Sequence, residues 1–143
     1  MDNYIKLSIK SKDSNERLSR QLIASFLTEL DPTIEEICDV KTAVSEAVTN
    51  SIVHGYENLT GTVNITAEIK GREIYIEIED YGRGIEDVER AREPLYTSQP
   101  EKEHSGMGFT VMEAFMDYVD VVSRPGLGTK VIMKKTIGAI NEL

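Results

Sequence analysis

Glu46-Ala47-Val48-Thr49-Asn50-Ser51-Ile52-Val53-His54 is the stretch on which the reading of this chain turns. At helical spacing Glu46, Asn50 and His54 recur at i, i+4 and i+8 and share one face, which is polar where the rest of the helix is apolar. Three glycine-bearing turns follow it, each beside a polar residue: Asp80-Tyr81-Gly82-Arg83-Gly84, Ser105-Gly106-Met107-Gly108-Phe109 and Gly126-Leu127-Gly128-Thr129. Four such elements in this order are hard to obtain by chance.

Outward from that helix, the chain alternates between helical and strand periodicity. Tyr4, Ile5, Leu7 and Ile9, interleaved with Lys6, Ser8 and Lys10, predict an opening strand. A helix capped by Ser14 or Asp13 follows, with Leu18, Leu22, Phe26 and Leu30 as its apolar stripe, widened by Ile23 and Leu27. Asp31-Pro32 ends it, and Thr33 with Glu36 forms a capping box for a second helix running to about Tyr56. Thr62 to Ile69 and Arg72 to Asp80 are β-branched alternating runs joined at Lys70-Gly71, which predicts an antiparallel hairpin. A short helical turn includes Val88, Arg90 and Ala91, a polar mobile loop spans 92 to 105, and Met107, Val111, Met112, Phe115 and Met116 mark another helix. Tyr118 to Ser123 and Thr129 to Lys135 close the chain as a second hairpin. The expected architecture is one α+β two-layer sandwich over 1–143, with helices packed on one face of a mixed, mostly antiparallel sheet.

Composition narrows the function classes. With 16 Lys+Arg against 25 Asp+Glu among 143 residues, the formal net charge of −9 argues against direct nucleic-acid binding. The single cysteine, Cys38, forms no intrachain disulfide and reads as a small buried side chain. No apolar run approaches the roughly 18 residues of a membrane span, and the N-terminus lacks the pattern of a signal peptide, so a cytoplasmic protein without membrane contact is expected.

The polar residues fit the three demands of a nucleotide: a reader for the base, close backbone approach to phosphates, and a metal ligand. Asp80, ending an apolar strand, is placed to accept from the adenine amine, and a carboxylate there disfavours guanine, which offers an acceptor at that position. Gly82 and Gly84 let the chain turn sharply beside the base, although Asp80-Tyr81-Gly82 alone equally suits a strand-ending turn. Gly106 and Gly108 precede a helix whose N–H groups and dipole can meet phosphate oxygens, as ordinary helix starts also do. Thr129 can reach the base or Asp80 through its hydroxyl or a water, and equally suits a strand opening. Asn50 offers a hard neutral oxygen to Mg²⁺, and Glu46, one turn earlier, lies where a proton acceptor for an incoming hydroxyl would. A solvated polar face is the alternative for both; their apolar neighbours weigh against it. His54 is assigned no chemistry.

Together the four elements resemble the N, G1, G2 and G3 boxes of the GHKL ATPase/kinase superfamily, whose ATP-binding (Bergerat) fold is shared by gyrase B, Hsp90, histidine kinases and MutL. The boxes fill nearly the whole chain, with no room for the dimerisation hairpin of sensor kinases or the transducer domain of gyrase B and MutL. Ser45-Glu46-Ala47-Val48-Thr49-Asn50 and Glu93-Pro94-Leu95-Tyr96-Thr97 ahead of Ser105-Gly106-Met107-Gly108-Phe109 are similar to the bacterial anti-sigma factor serine kinases, closest to the sporulation anti-sigma F branch. The resemblance implies a homodimeric, ATP- and Mg²⁺-dependent protein serine kinase that holds a sigma factor of the sigma F type when ATP is bound. It would phosphorylate a serine on a STAS-type anti-anti-sigma antagonist. It also implies Glu46 as catalytic base, Asn50 as Mg²⁺ ligand, Asp80 as adenine reader with Gly82 and Gly84 as its turn, Gly106 and Gly108 on the phosphate side, and Thr129 at the base. Arg20, which lies off the apolar stripe of its helix, corresponds to a partner-contacting arginine. The chain departs from the pattern in its lid, where His104 replaces a usual arginine, Gln99 stands where lysine is common, and Lys102 is a substitute nearby. A general-stress-type kinase for another sigma factor and a nucleotide-gated binding module without catalysis are the alternative readings. The opening strand supplies an edge to pair or pack across a two-fold axis.

Overall fold

The structure, a computed structural model, describes residues 2–57, 59–93 and 108–138. Strands β1 (Asn3–Lys10), β2 (Thr62–Lys70), β3 (Glu73–Asp80), β4 (Tyr118–Arg124) and β5 (Gly128–Thr136) form one sheet in the order β1-β2-β3-β5-β4. Every pairing is antiparallel, so the expected mixed character is absent among the described residues. Helices α1 (Asp13–Leu27), α2 (Ile34–Asn50) and α4 (Gly108–Phe115) carry the second layer, and α3 (Val88–Ala91) is a single turn. Strict alternation buries Val63, Ile65, Ala67 and Ile69 of β2, Ile74, Ile76 and Ile78 of β3, and Val131 and Met133 of β5. These side chains meet Ile23, Leu27, Val40, Val44, Val48 and Met112 from the helices in one hydrophobic core.

The other sheet face is polar and aromatic, as alternation requires. One row crosses all five strands as Tyr4, Glu68, Tyr75, Lys134 and Tyr118, with the Lys134 ammonium 5.0 Å from the Tyr118 ring centroid.

The capping box forms as expected: the Thr33 hydroxyl accepts from Glu36 N–H at 3.1 Å, and the Glu36 carboxylate accepts from Thr33 N–H at 2.9 Å. The first helix differs from expectation in two respects. Lys12 is its N-cap and no side chain caps it, so Asp13 contributes only its charge to the first turn. Its buried line is Ser19, Ile23 and Leu27, while Leu18 and Leu22 are substantially exposed. An i+4 stripe drifts around a 3.6-residue helix, and the core selects its Ile23 side. Cys38 is exposed, contrary to expectation, because α2 turns Val40, Val44 and Val48 inward and Cys38 outward. Among the described residues no helix is long and apolar enough to cross a membrane.

Candidate nucleotide site

Asp80 closes β3 at 3% exposure, and three donors already surround its carboxylate. Gly82 N–H donates at 3.0 Å, and the Ser51 hydroxyl and Thr129 N–H add two more hydrogen bonds. A carboxylate has about four lone-pair positions, so one acceptor position is left for a ligand. Burial nonetheless raises the Asp80 pKa, the donors only partly offsetting the loss of water.

Two glycines shape the space around it. A side-chain carbon on Gly55 would stand 2.9 Å from all three Asp80 carboxylate atoms, and one on Gly82 would collide with the Gly55 carbonyl. The backbone therefore closes on the carboxylate from two sides, and Arg83 N–H fixes this approach by donating to Gly55 O at 2.8 Å. Gly84 adopts φ 76° against the Arg124 carbonyl. Tyr56 bolts the neighbouring segments together: its hydroxyl accepts from Tyr81 N–H at 2.8 Å and donates to Thr62 O.

Thr129 lies directly opposite Asp80 in the β3–β5 ladder. Its hydroxyl sits 2.8 Å from that of Ser123, which donates to Gly128 O at 2.9 Å and accepts from Ile85 N–H at 2.8 Å. Ser123 has one proton and two lone pairs; with its proton on Gly128 O, Thr129 is the donor in that pair. Its own lone pairs are then available to an amine or water.

The other end of the site is built on α2. Asn50 is its half-buried last residue, and a π-helical turn, Ser51–Gly55, continues from it in place of the α-helix expected to Tyr56. That wider turn sends Ser51 to Asp80, and the His54 carbonyl accepts from Arg83 Nε at 2.9 Å. Glu46, half-buried, faces the start of α4, where a side-chain carbon on Gly108 would lie 3.4 Å from its Oε2. The structure thus brings Gly82 and Thr129 to Asp80 and Gly108 to Glu46, with Asn50 one turn beyond Glu46 on α2 and Gly84 against the Arg124 carbonyl. Gly106 and the lid residues Gln99, Lys102 and His104 lie outside the described residues. Arg20, on the flank of α1 that meets α2, has its Nε 3.4 Å from Glu16 Oε2 and shares a surface cleft with Glu46.

The donor set fits adenine, because the remaining Asp80 and Thr129 acceptors suit an amine and the glycine approaches leave no side chain in the way. Among the described residues no three His, Cys, Asp or Glu side chains are grouped to hold a metal. A cation here would rest on the Asn50 oxygen, phosphate oxygens and water, which suits Mg²⁺. Ser51, Gly55, Tyr56 and Ser123 complete the site and are not marked by the sequence motifs.

Comparison with known proteins gives concordant results. A profile of the histidine kinase-like ATPase domain matches residues 9–135. The anti-sigma F factor of Clostridium acetobutylicum is 57% identical over 142 residues, covering 99% of each chain. That of Clostridium kluyveri is 56% identical over 140 residues, covering 98% of this chain and 99% of the relative. Among solved structures, the RsbU and RsbW domains of a Mycobacterium tuberculosis protein match with a TM-score of 0.69 at 19% identity, over 94% of this chain and 32% of that one. The catalytic domain of the histidine kinase ThkA matches with a TM-score of 0.59 at 14% identity, over 94% and 96%. These two likenesses concern the fold.

Proposed function

Because the chain belongs to the histidine kinase-like ATPase domain family, and within it to the anti-sigma F factors, we propose that it is a single-domain anti-sigma factor and protein serine kinase. In this reading it retains a sporulation sigma factor of the sigma F type when ATP is bound, and phosphorylates a serine of a STAS-type antagonist in the cytoplasm. One observation carries the reading: a buried carboxylate, Asp80, holds three donors with one acceptor position left, in a space that Gly55 and Gly82 keep clear.

Asp80 and Thr129 orient the adenine amine, and burial of Asp80 keeps water from competing for it. Asn50 would hold Mg²⁺ and Gly108, with Gly106, would offer backbone donors to the phosphates. Bound ATP with Mg²⁺ supplies the phosphoryl group and neutralises its charge. Glu46 would accept the proton of the partner's serine hydroxyl as the new O–P bond forms and the bond from the γ-phosphorus to its bridging oxygen breaks, releasing ADP. Arg20 contacts the partner. The chain works as a homodimer, for which the row Tyr4, Glu68, Tyr75, Lys134 and Tyr118, exposed at Tyr4 and Tyr118 and half-buried between them, offers a surface carrying both charges.

The test is single-turnover phosphorylation of the STAS protein by Glu46→Gln. The substitution keeps shape and hydrogen bonding, so ATP and sigma-factor binding survive while transfer falls by about 10² to 10⁴, toward the low end if positioning dominates. Transfer within about threefold of the unsubstituted rate rejects the catalytic role. Light scattering that returns a monomer at micromolar concentration removes the dimer.

A further inference from the structure

On the helix side of the sheet, the row Leu7, Ile65, Ile78, Val131 and Val121 is apolar across all five strands. The next row on that face, Ile9, Val63, Asp80, Thr129 and Ser123, turns polar at Asp80 and stays polar to the edge strand. Three neighbouring strands therefore end on hydrogen-bonding side chains, and the first two of these border the base position. Ser123, the third, lies one strand beyond Thr129.

Its hydroxyl is the most fully used of the three. A serine offers one proton and two lone pairs. The Gly128 carbonyl, 2.9 Å away, takes the proton, and Ile85 N–H, 2.8 Å away, takes one lone pair. Only a lone pair is left for the Thr129 hydroxyl at 2.8 Å, so that hydroxyl points its proton at Ser123. Both anchors are backbone groups of the segments that close the site: Ile85 follows Gly84, and Gly128 backs onto the Asp80 carbonyl. Fixed backbone thus sets the direction of the Thr129 proton.

The outcome is an edge that presents acceptors only. Thr129 has spent its proton, and an ionised Asp80 has none. An amine at the purine 6-position brings two donors, one for each. A 6-oxo group brings acceptors alone and meets two more.

Resting on the ATP-site reading above, we propose that Ser123 is a positioning residue that acts through Thr129: by holding the Thr129 proton, it makes the site discriminate a 6-amino from a 6-oxo purine nucleotide. With the Ser123 hydroxyl gone, Thr129 turns and donates to the 6-oxo group, and Asp80 alone opposes the wrong base.

The test compares ATP with ITP, which carries a 6-oxo group and no 2-amine, by calorimetry on the full chain with Mg²⁺. Ser123→Ala is expected to narrow the preference for ATP about three- to tenfold, the worth of one hydrogen bond, whereas Ser123→Thr restores the hydroxyl and keeps the preference. Equal loss of affinity for both nucleotides in Ser123→Ala overturns the proposal, because a mere brace of the two turns weakens both alike. If Ser123→Ala does not fold, Ser123→Cys keeps the shape with a weaker hydrogen-bonding group, and an unaltered preference in it overturns the proposal equally. Thr129→Val leaves the Ser123 bonds to Gly128 and Ile85 in place and should narrow the preference itself; adding Ser123→Ala should then change it no further. Independent, additive losses in that double variant overturn the coupling. ATP and ITP bound equally by the unsubstituted chain overturn it too and leave the ATP site standing, while absence of ATP binding removes the site reading and the proposal with it.

Discussion

Replacing Asp80 by Asn conserves volume but converts one acceptor into a donor at the centre of the site. Three donors surround the native carboxylate: the backbone N–H groups of Gly82 and Thr129, which are fixed, and the Ser51 hydroxyl, which can rotate. The amide oxygen therefore stays with a backbone donor such as Gly82 N–H, and the NH₂ takes the other oxygen's place beside the base. There the adenine amine meets another donor. Losing a hydrogen bond to a charged acceptor costs about 1.5–3 kcal/mol, which weakens ATP binding roughly 10- to 150-fold. The same NH₂ can donate to guanine at its 6-position, so the preference for ATP over GTP narrows as ATP affinity falls. Calorimetry with both nucleotides and Mg²⁺, on a variant whose folding is checked by urea unfolding, measures both effects. ATP affinity within about threefold of the unsubstituted chain refutes the assignment of Asp80 as base reader.

Three further outcomes follow from the same geometry. Gly82→Ala drives a methyl into the Gly55 carbonyl, and the overpacking lowers stability by about 1–3 kcal/mol and reduces ATP affinity; a variant that unfolds and binds like the native chain contradicts the close approach. Thr33→Ala removes the hydroxyl that accepts from Glu36 N–H, and urea unfolding should register a loss of about 1 kcal/mol with ATP affinity intact. Burial raises the Asp80 pKa in the folded state, so the folded chain holds this proton more tightly than the unfolded one. Its contribution is fully present below the ordinary carboxylate value and is lost as pH rises through the raised one. Relative to Asp80→Asn, the native chain should therefore become more stable as pH falls from about 7 to 4, and a constant difference in unfolding free energy over that range contradicts the burial effect.

The sheet was legible because alternation is a local code: Val63, Ile65, Ala67 and Ile69 announce both a strand and its buried face. Thr33 and Glu36 were legible for a similar reason, since a capping box is complete within four residues. The stripe on α1 was right at Ile23, Leu27 and Leu30 and wrong at Leu18 and Leu22, because spacing by four describes two adjacent faces and only packing against the core decides between them. Asp80, Gly82 and Thr129 stood out through their turns, whereas Ser51, Gly55 and Ser123 did not. A serine inside an apolar helix and a glycine at its end have ordinary local explanations, and their partners lie in other segments. The π-helical turn is equally invisible in sequence, because its five residues keep the apolar spacing of the helix before them. A glycine five residues after Asn50, ahead of an Asp-x-Gly turn, was the available signal.

The ladder that sets Thr129 opposite Asp80 also sets how this lineage can vary in length. Slipping β5 by one residue, as a single insertion or deletion further along it would do, brings Gly128 or Lys130 across from Asp80 and turns Val131 and Met133 out of the core in the same step. Insertions and deletions are thus excluded from β5 by two independent penalties. The turn ahead of it is under no such packing constraint: Leu127 is 67% exposed, and although Gly126 holds a φ of 78° that favours glycine, nothing lies within 4 Å of where its side chain would begin. Gly128, two residues on, backs directly onto the Asp80 carbonyl. Divergence among relatives should therefore change abruptly within this one turn, free at its tip and frozen at Gly128, so a sequence comparison restricted to residues 124–129 would locate the edge of the base site without any ligand.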